Sequence, residues 1–265
     1  MSNIPKNKLN LQLIQDNLTT HYIGQSFYYR EEMDSTNKFA KGGAESLKDG
    51  CVVLCEEQTA GHGRKNRYWF SIPYKSVCMS VILKPNILPV KAPRFTIAAA
   101  VSLCEVISEF FDDCYIKWPN DILINNKKIS GILLDCTIEG NVVKYVTVGM
   151  GINVNTPCFE NELKEIATSL SCEKGTEFSR EHIIAKILNS LEQNIELVYS
   201  DIGFKILMQK YREKSYVLGK VVRIIEADTE TEGEVHGFDE HGQIQIITRF
   251  GNIVTFNSGD VSLRY

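Results

Sequence analysis

Four apolar segments follow one another with only short polar turns between them, and this series constrains the fold more than any other feature. The segments are residues 114–117, 122–124, 129–139 and 142–148. The turns at 125–128 and 139–141 have the lengths and polar residues that join neighbouring antiparallel strands. A succession of hairpins predicts a largely antiparallel or mixed sheet, and it excludes the parallel strand order of a Rossmann fold.

Helical periodicity marks the segments that should cover this sheet. Residues 95–111 form an apolar helix candidate, and Ser179 can cap a helix to about residue 199 with Ile or Leu at every fourth position. A further helix is predicted over 202–213. From residue 219 the pattern changes to short alternating strands, which predicts a small β module. We therefore expect two domains, residues 1–214 and 215–265.

The composition excludes several classes of function. The 265 residues carry a net charge of −4, which argues against a general nucleic-acid-binding surface. No apolar run is long enough to span a membrane, and the first ten residues lack the apolar core of a signal peptide. We therefore expect a cytoplasmic protein. Its eight cysteines show no zinc-type spacing and are expected to be buried, reduced thiols.

A basic loop follows the predicted buried strand at 51–57. Residues 61–69 read GHGRKNRYW and contain Arg64, Lys65 and Arg67 but no acid. Two glycines in a short polar segment predict a loop, and three like charges repel one another, so we expect it to be loose until an anion orders it. The residue pattern fits neither a dinucleotide-binding fingerprint nor a Walker loop. A solvated basic loop without function is the alternative.

Polar residues collect near the ends of four predicted strands. They are the basic loop and residues 117–121, 128–131 and 149–153. Because these segments belong to neighbouring strands of one sheet, we expect them to form one pocket. It would hold cations, amides and one carboxylate suited to magnesium, Asp121, but no Ser-His-Asp or Cys-His set. Such residues suit attack on a phosphate, for example by a carboxylate on the α-phosphate of ATP.

Six motifs, in order along the chain, resemble those of the biotin protein ligases. The basic loop resembles that family's GRGRxGRxW motif, and residues 117–121 match its KWPND. DSTN at 34–37, QTAG at 58–61, KISGIL at 128–133 and GMGINV at 149–154 resemble the other four. The resemblance covers residues 34–264. It implies an α+β fold, in which a biotin/lipoate ligase-like catalytic domain with a mixed, largely antiparallel sheet precedes a small SH3-like β-barrel.

The resemblance also implies a two-step reaction and the residues that perform it. Biotin and ATP, with Mg²⁺, would give biotinyl-5′-AMP, and a lysine of a biotin carboxyl carrier protein would then accept the biotin. Arg64 and Lys128 would be catalytic and would contact both substrates. The other implied biotin contacts are Ser35, Thr36, Asn37, Gln58, His62, Gly63, Gly131 and Leu133. The other implied nucleotide contacts are Arg67, Trp69, Lys117, Asn120, Asp121, Asn153, Phe256 and Arg264, with Asp121 also as the magnesium ligand.

The sequence departs from the family motifs at three positions. His62, Asn66 and Phe256 replace an arginine, a glycine and a tryptophan. His62 can be neutral near pH 7, which would make its contact pH-dependent, and Asn66 tolerates a left-handed backbone better than most residues. Some relatives carry an N-terminal DNA-binding domain, which we do not expect in this chain because few residues precede the first predicted strand. We expect a ligase that does not bind DNA, as a monomer or a homodimer.

Two alternative functions remain open from the sequence. A lipoate or octanoyl ligase or transferase of the same fold is the first, and a transferase would need a cysteine beside Lys128, for which Cys136 is the candidate. A non-catalytic biotin-binding regulator is the second. The presence of both Arg64 and Lys128 favours an enzyme over such a regulator.

Overall fold

The computed structural model describes residues 7–157, 159–160, 162–226 and 229–264. The helices are α1 (Leu11–Asp16), α2 (Thr36–Gly43), α3 (Pro93–Ser108), α4 (Leu163–Ile166), α5 (Leu170–Lys174), α6 (Arg180–Glu196) and α7 (Asp201–Glu213). The strands are β1 (Phe27–Met33), β2 (Val52–Gln58), β3 (Val77–Leu83), β4 (Cys114–Lys117), β5 (Asp121–Ile124), β6 (Lys127–Glu139), β7 (Val142–Ile152), β8 (Val221–Glu226), β9 (Thr229–Phe238), β10 (Ile244–Thr248), β11 (Ile253–Phe256) and β12 (Asp260–Leu263). Within these ranges no helix is both long enough and apolar enough to cross a bilayer.

Seven strands form one mixed sheet in the order β1-β2-β3-β7-β6-β5-β4. Strands β1 and β2 pair in parallel, and the other neighbours pair antiparallel. The predicted mixed, largely antiparallel sheet is thus confirmed. Strand β7 runs past its predicted end at residue 148, because β3 pairs with it as far as Ile152. The glycines of the GMGINV motif therefore lie inside the sheet and not in a loop after it.

Helices cover the two faces of this sheet unequally. Helices α3 and α6 belong to the large core, together with Val52 and Leu54 of β2. Helix α2 belongs to a smaller cluster with Val53 and Cys55 of the same strand. Because successive strand residues point to opposite faces, α2 lies on the face opposite α3. Ser35 caps α2 by accepting a hydrogen bond from the Lys38 N–H, so the DSTN motif starts this helix at the sheet surface.

The last five strands form a separate antiparallel sheet in the order β11-β10-β9-β8-β12. This confirms a small C-terminal β domain. Its inward residues, among them Val222, Ile246 and Phe256, join the same apolar core as the seven-stranded sheet. A sheet of this size buries little surface alone, so the shared core supplies much of its stability. The domain boundary between residues 214 and 215 stays a prediction.

A buried ion pair ties the first described residues and α6 to the middle of the sheet. Arg180 Nη1 lies 2.5 Å from Glu56 Oε2, and the two side chains are 3% and 0% exposed. Arg180 also donates to the Ser76 carbonyl, while the Leu9 N–H and the Tyr29 hydroxyl donate to Glu56 Oε1. With both charges desolvated, the loss of one partner leaves the other buried without compensation.

We predict that Arg180→Ala lowers the free energy of unfolding by about 3–5 kcal/mol, because it leaves the buried Glu56 carboxylate without a counter-charge. Urea unfolding followed by circular dichroism measures the change. The matched control is Arg223→Ala, whose ion pair with Glu230 is partly solvated, and it should cost about 1 kcal/mol or less. Equal losses of unfolding free energy in the two variants would show that the buried ion pair stabilises the fold no more than the partly solvated one.

Candidate active site

A cavity of about 170 Å³ opens at one end of the seven-stranded sheet. It lies where α2, the basic loop, the KWPND turn and the C-terminal sheet meet. Most of the residues singled out from the sequence line it: Ser35, Thr36, Asn37, Gln58, His62, Gly63, Arg64, Arg67, Trp69, Lys117, Asn120, Asp121, Lys128, Gly131 and Leu133. The polar strand ends thus meet at one cavity, as the sequence predicted.

The basic loop is a hairpin that forms one wall of this cavity. The Gly63 N–H donates to the Arg67 carbonyl at 2.7 Å, and the Trp69 N–H donates to the Gly61 carbonyl at 3.0 Å. At the tip, Lys65 and Asn66 have φ values of 54° and 55°. This left-handed backbone costs most side chains energy, and asparagine tolerates it well. The position that departs from the family glycine is therefore filled by a residue suited to it. A change of loop mobility on anion binding stays a prediction.

The C-terminal sheet holds the loop through Asp260 at the start of β12. Its carboxylate accepts from Lys65 Nζ at 3.0 Å and from Arg67 Nη2 at 2.5 Å. Partial burial alone would raise the pKa of Asp260, but the hydrogen bonds from Lys65 and Arg67 outweigh it and hold the pKa below its usual value. The carboxylate is therefore ionised at neutral pH. Sequence reasoning missed this residue.

Arg64 is the loop cation that reaches into the cavity. Its Nη1 lies 3.3 Å from Asn120 Oδ1 and 3.4 Å from the Gly259 carbonyl, both neutral acceptors. Burial lowers the pKa of Arg64, and the carboxylates of Asp260 and Asp121 oppose that shift. Asn120 is itself fixed, because its Nδ2 donates to the Ile132 carbonyl at 2.8 Å. The guanidinium is thus aimed at the cavity by long, weak contacts that an anion can replace.

Lys128 is a further cation that lines the cavity. Its Nζ lies 2.6 Å from Asp121 Oδ1 on the neighbouring strand and 5.5 Å from the centre of the Trp69 ring. The two side chains are 33% and 25% exposed, and this partial burial strengthens their attraction relative to a surface pair. Asp121 was predicted as a magnesium ligand, and here it is the partner of Lys128.

Glycines on β6 and β7 form the floor under Trp69. A Cβ atom placed on Gly151 would lie 2.4 Å from Trp69 Cε2, and one on Gly131 would lie 3.1 Å from Trp69 Cζ3. Gly131 and Gly151 are direct partners across the two strands. The indole therefore lies flat on bare backbone, and its Nε1 finds no hydrogen-bond acceptor among the described residues.

A chain of buried polar groups forms the wall beside α2. Gln58 Oε1 accepts from the Thr36 N–H at 2.9 Å and from its hydroxyl at 3.2 Å. The Ser80 hydroxyl donates to Thr36 Oγ1 at 2.9 Å. Because its oxygen is engaged, Gln58 is left with its NH₂ group as a donor for a ligand.

Asn37 continues this wall and depends on a residue that the sequence did not single out. Its Nδ2 donates to Asp135 Oδ2 at 2.5 Å, and Asp135 is paired with Lys41 at 3.0 Å. A Cβ on Gly149 would lie 2.7 Å from Asn37 Oδ1. Gly149 therefore leaves room for the Asn37 amide, and Asp135 fixes its orientation.

Three residues predicted to bind nucleotide do not line this cavity, and their contacts with nucleotide stay predictions. Asn153 is buried and donates from Nδ2 to the Thr168 carbonyl, so it holds the segment before α5. Phe256 is 6% exposed and packs inside the C-terminal sheet core. Arg264 points to Glu230 and Glu232 on β9. These side chains are engaged in the fold itself.

We predict that Gly151→Ala displaces the Trp69 indole, because the new methyl group would overlap the ring and the paired strands cannot move apart. In a Trp118→Phe background, Trp69 is the remaining one of two tryptophans, and its fluorescence should shift to longer wavelength as the ring meets water. Gly237→Ala is the control, since its Cβ meets nothing within 4 Å. An unchanged emission maximum in Gly151→Ala would contradict the placement of the ring.

Comparison with known proteins assigns the family. Residues 29–153 match the sequence model of the biotin/lipoate A/B protein ligase family. The chain is 36% identical over 260 residues to the bifunctional ligase/repressor BirA of Bacillus subtilis, and the match covers 97% of this chain and 79% of that protein. It is 28% identical to the biotin–[acetyl-CoA-carboxylase] ligase of Paracoccus denitrificans, with coverages of 80% and 90%.

Solved structures agree with this assignment. The structure of biotin protein ligase from Aquifex aeolicus in complex with biotin and ATP superposes with a TM-score of 0.76 at 28% identity, and the match covers 91% of this chain and 99% of that one. The identity to the Bacillus subtilis protein extends over nearly the whole chain, well beyond the segment that the family model matches. The chain therefore belongs to the biotin/lipoate A/B protein ligase family.

Proposed function

We propose that this protein is an ATP-dependent biotin protein ligase that makes biotinyl-5′-AMP and then transfers biotin to a lysine of a carrier protein. The observation that carries the proposal is the pair of cations, Arg64 and Lys128, on one cavity that also has a polar wall and a glycine floor. The relatives named as biotin ligases and the Aquifex aeolicus complex with biotin and ATP support the choice of substrates.

The polar wall beside α2 is where we place the biotin head group. A cyclic urea offers one carbonyl acceptor and two N–H donors, which need fixed partners once water is removed. The free NH₂ group of Gln58 suits the carbonyl, and the oxygens of Ser35, Thr36 and Asn37 suit the N–H groups. The other proposed biotin contacts are His62, Gly63, Gly131 and Leu133, which shape the space between this wall and the two cations.

The two cations are where we place the α-phosphate. A biotin carboxylate oxygen attacks the α-phosphorus of ATP, the new P–O bond forms, and the bond to pyrophosphate breaks. Negative charge accumulates on the phosphate oxygens in this step, and preorganised cations in a partly buried site stabilise it. Arg64 and Lys128 also attract the two negatively charged reactants to each other. The other proposed nucleotide contacts are Arg67, Trp69, Lys117, Asn120 and Asp121.

Magnesium fits the cavity through one residue, Asp121. Mg²⁺ commonly binds through one or two carboxylates together with substrate phosphates. The described residues contain no group of three or more His, Cys, Asp or Glu side chains that would hold a metal alone. We therefore propose that Asp121 holds Mg²⁺ together with ATP, where the ion would neutralise phosphate charge. Asp121 would then have to leave Lys128, which frees the Lys128 ammonium for the phosphate.

The second step needs the intermediate to be kept from water until an amine arrives. The acyl carbon of biotinyl-5′-AMP is attacked by the carrier lysine, an amide bond forms, and AMP leaves. The basic loop forms one wall of the cavity and is held by Asp260, and we propose that it closes over the mixed anhydride and excludes water. A biotin carboxyl carrier protein in the cytoplasm is the proposed partner. The described cysteines are all free thiols, which supports a reducing compartment.

The two alternatives find less support in this geometry. A transferase would need a cysteine beside Lys128, but Cys136 lies further along β6, and burial raises the pKa of its thiol to about 11. A non-catalytic regulator has no use for two cations aimed at one cavity. The net charge of −4 supports the proposal that the protein does not bind DNA.

We predict that the protein exchanges labelled pyrophosphate into ATP when given biotin and not when given lipoate. Exchange requires reversible adenylate formation, so it isolates the first step from the carrier protein. Exchange with lipoate alone would establish the first alternative. If the protein bound biotin but catalysed no exchange with either acid, the regulator would be established.

We predict different defects for the two cations. Lys128→Ala should slow adenylate formation about a hundredfold, since it removes a charge that acts on the reacting phosphate. Arg64→Ala should release biotinyl-5′-AMP into solution, because the basic loop would lose the cation that we propose holds the adenylate. Rapid-quench analysis and filtration measure the two quantities. The controls are Lys127→Ala, beside Lys128, and Arg249→Ala, on the C-terminal sheet. If Arg64→Ala retained the adenylate as firmly as the unaltered protein, the role given to the loop would be wrong.

A further inference from the structure

Two pairs of cysteines lie side by side in this protein, and they differ in their access to the active-site cavity. Cys55 of β2 and Cys78 of β3 are direct partners across two antiparallel strands. Cys104 of α3 and Cys114 of β4 have their sulfur atoms 3.5 Å apart. Cys55 and Cys78 are themselves 1% and 2% exposed, but Cys78 lines the ligand cavity. Cys104 and Cys114 are both 0% exposed and line no part of that cavity.

The position of Cys55 and Cys78 fits the formation of a disulfide. Directly opposed residues in an antiparallel pair have Cα atoms about 4.5–5.5 Å apart, which lies within the range that a disulfide spans. Both side chains belong to the small cluster under α2, which Trp69 also contacts. Cys55 and Cys78 thus share the face of the sheet that carries the ligand cavity.

The geometry of the pair makes Cys78 the attacking sulfur, because Cys78 lines the cavity and Cys55 does not. A hydrogen bond from Cys55 stabilises the Cys78 thiolate and lowers the pKa of Cys78, although burial opposes the shift. The same hydrogen bond, with burial, raises the pKa of Cys55. The Cys104–Cys114 pair shows the same pattern, with Cys104 lowered by its hydrogen bond to Cys114. Access, and not thiol chemistry, therefore distinguishes the two pairs.

We propose that Cys55 and Cys78 form a thiol modification site that is reached through the ligand cavity and takes small two-electron oxidants of the peroxide class. The Cys78 thiolate attacks one peroxide oxygen, an S–O bond forms, the O–O bond breaks, and water leaves after protonation. Cys55 then attacks the resulting sulfenic sulfur. The S–S bond forms, the S–O bond breaks, and the Cys55 proton leaves with the oxygen as a second water. Two thiols are oxidised to one disulfide, and one peroxide is reduced to two waters.

The position of Cys78 links this oxidation to the occupancy of the cavity. A ligand that fills the space next to Cys78 blocks the approach of the oxidant. Protection by biotin rests on the function proposed above, whereas the formation of the disulfide does not. An occupied enzyme is thus shielded, and an empty one is open to oxidation.

Peptide mass spectrometry tests the proposal on the 265-residue chain. The reduced chain, freed of reductant, is treated with hydrogen peroxide, alkylated with N-ethylmaleimide and digested. We expect a dithiothreitol-reversible link between the Cys55 and Cys78 peptides, formed faster than any link between Cys104 and Cys114. Biotin at about 100 times its dissociation constant should slow the Cys55–Cys78 link about a hundredfold, the fraction left unliganded. A Cys104–Cys114 link that forms as fast or faster would overturn the proposal.

Two variants and one titration make the outcome unambiguous. Cys55→Ser should stop at sulfenic acid, trapped as a dimedone adduct on Cys78, and Cys78→Ser should leave Cys55 as a thiol. Dimedone on Cys55 in Cys78→Ser would show that access does not run through Cys78. A biotin titration of the reduced protein separates the two proposals. If the reduced protein binds biotin and biotin gives no protection, the modification site is refuted. If it binds no biotin, the proposed function fails, and the disulfide is judged by the peptide link alone.

Discussion

The ion pair between Lys128 and Asp121 places a positive charge at the centre of the site. Its two side chains come from adjacent strands, and the pairing of β5 with β6 fixes their separation. Lys128 is held by a single carboxylate, so a phosphate that competes for the ammonium would need to replace only that one contact. Arg64 is held more loosely, by an amide oxygen and a backbone carbonyl. Both cations therefore face the cavity before a substrate arrives, and each is held only by contacts that a phosphate could replace.

The rest of the fold holds these charges beside Trp69 and the glycines under it. Gly131 and Gly151 bare the backbone so that Trp69 can lie against the sheet, which sets the depth of the cavity. The C-terminal sheet shares its core with the seven-stranded sheet and presents Asp260 to the basic loop. This contact joins residues far apart in the chain, so the small sheet is part of the active site as well as of the fold.

The sequence was informative where local patterns decide the outcome and uninformative where distant contacts do. Hairpin spacing predicted the antiparallel sheet, and polar strand ends predicted the pocket that the structure contains. Asp260 and Asp135 were missed because their partners, Arg67 and Asn37, lie far away in the chain and neither acid sits in a recognisable motif. No local signal marks an acid whose role is to hold another side chain.

Two further residues show how the fold engages side chains that the sequence assigned to a ligand. Phe256 was assigned to the nucleotide from its correspondence to a family tryptophan, and in the structure it packs in the core, because short strands in a small sheet need their large residues there. Asn153 was assigned from the GMGINV motif, and its side-chain amide donates to the Thr168 carbonyl before α5. A motif position gives a residue's neighbourhood, while burial and hydrogen-bond demand decide which way its side chain faces.

A crystal structure of the protein grown with biotin and ATP would test the account most directly. It would give the distances from the Lys128 ammonium and the Arg64 guanidinium to the phosphate of the adenylate. The account predicts biotinyl-5′-AMP in the cavity, with Lys128 Nζ and an Arg64 guanidinium nitrogen each about 2.7–2.9 Å from an oxygen of its phosphate. Lys128 should then have left Asp121. An adenylate whose phosphate lies away from both cations, with the Lys128–Asp121 pair still intact, would contradict it.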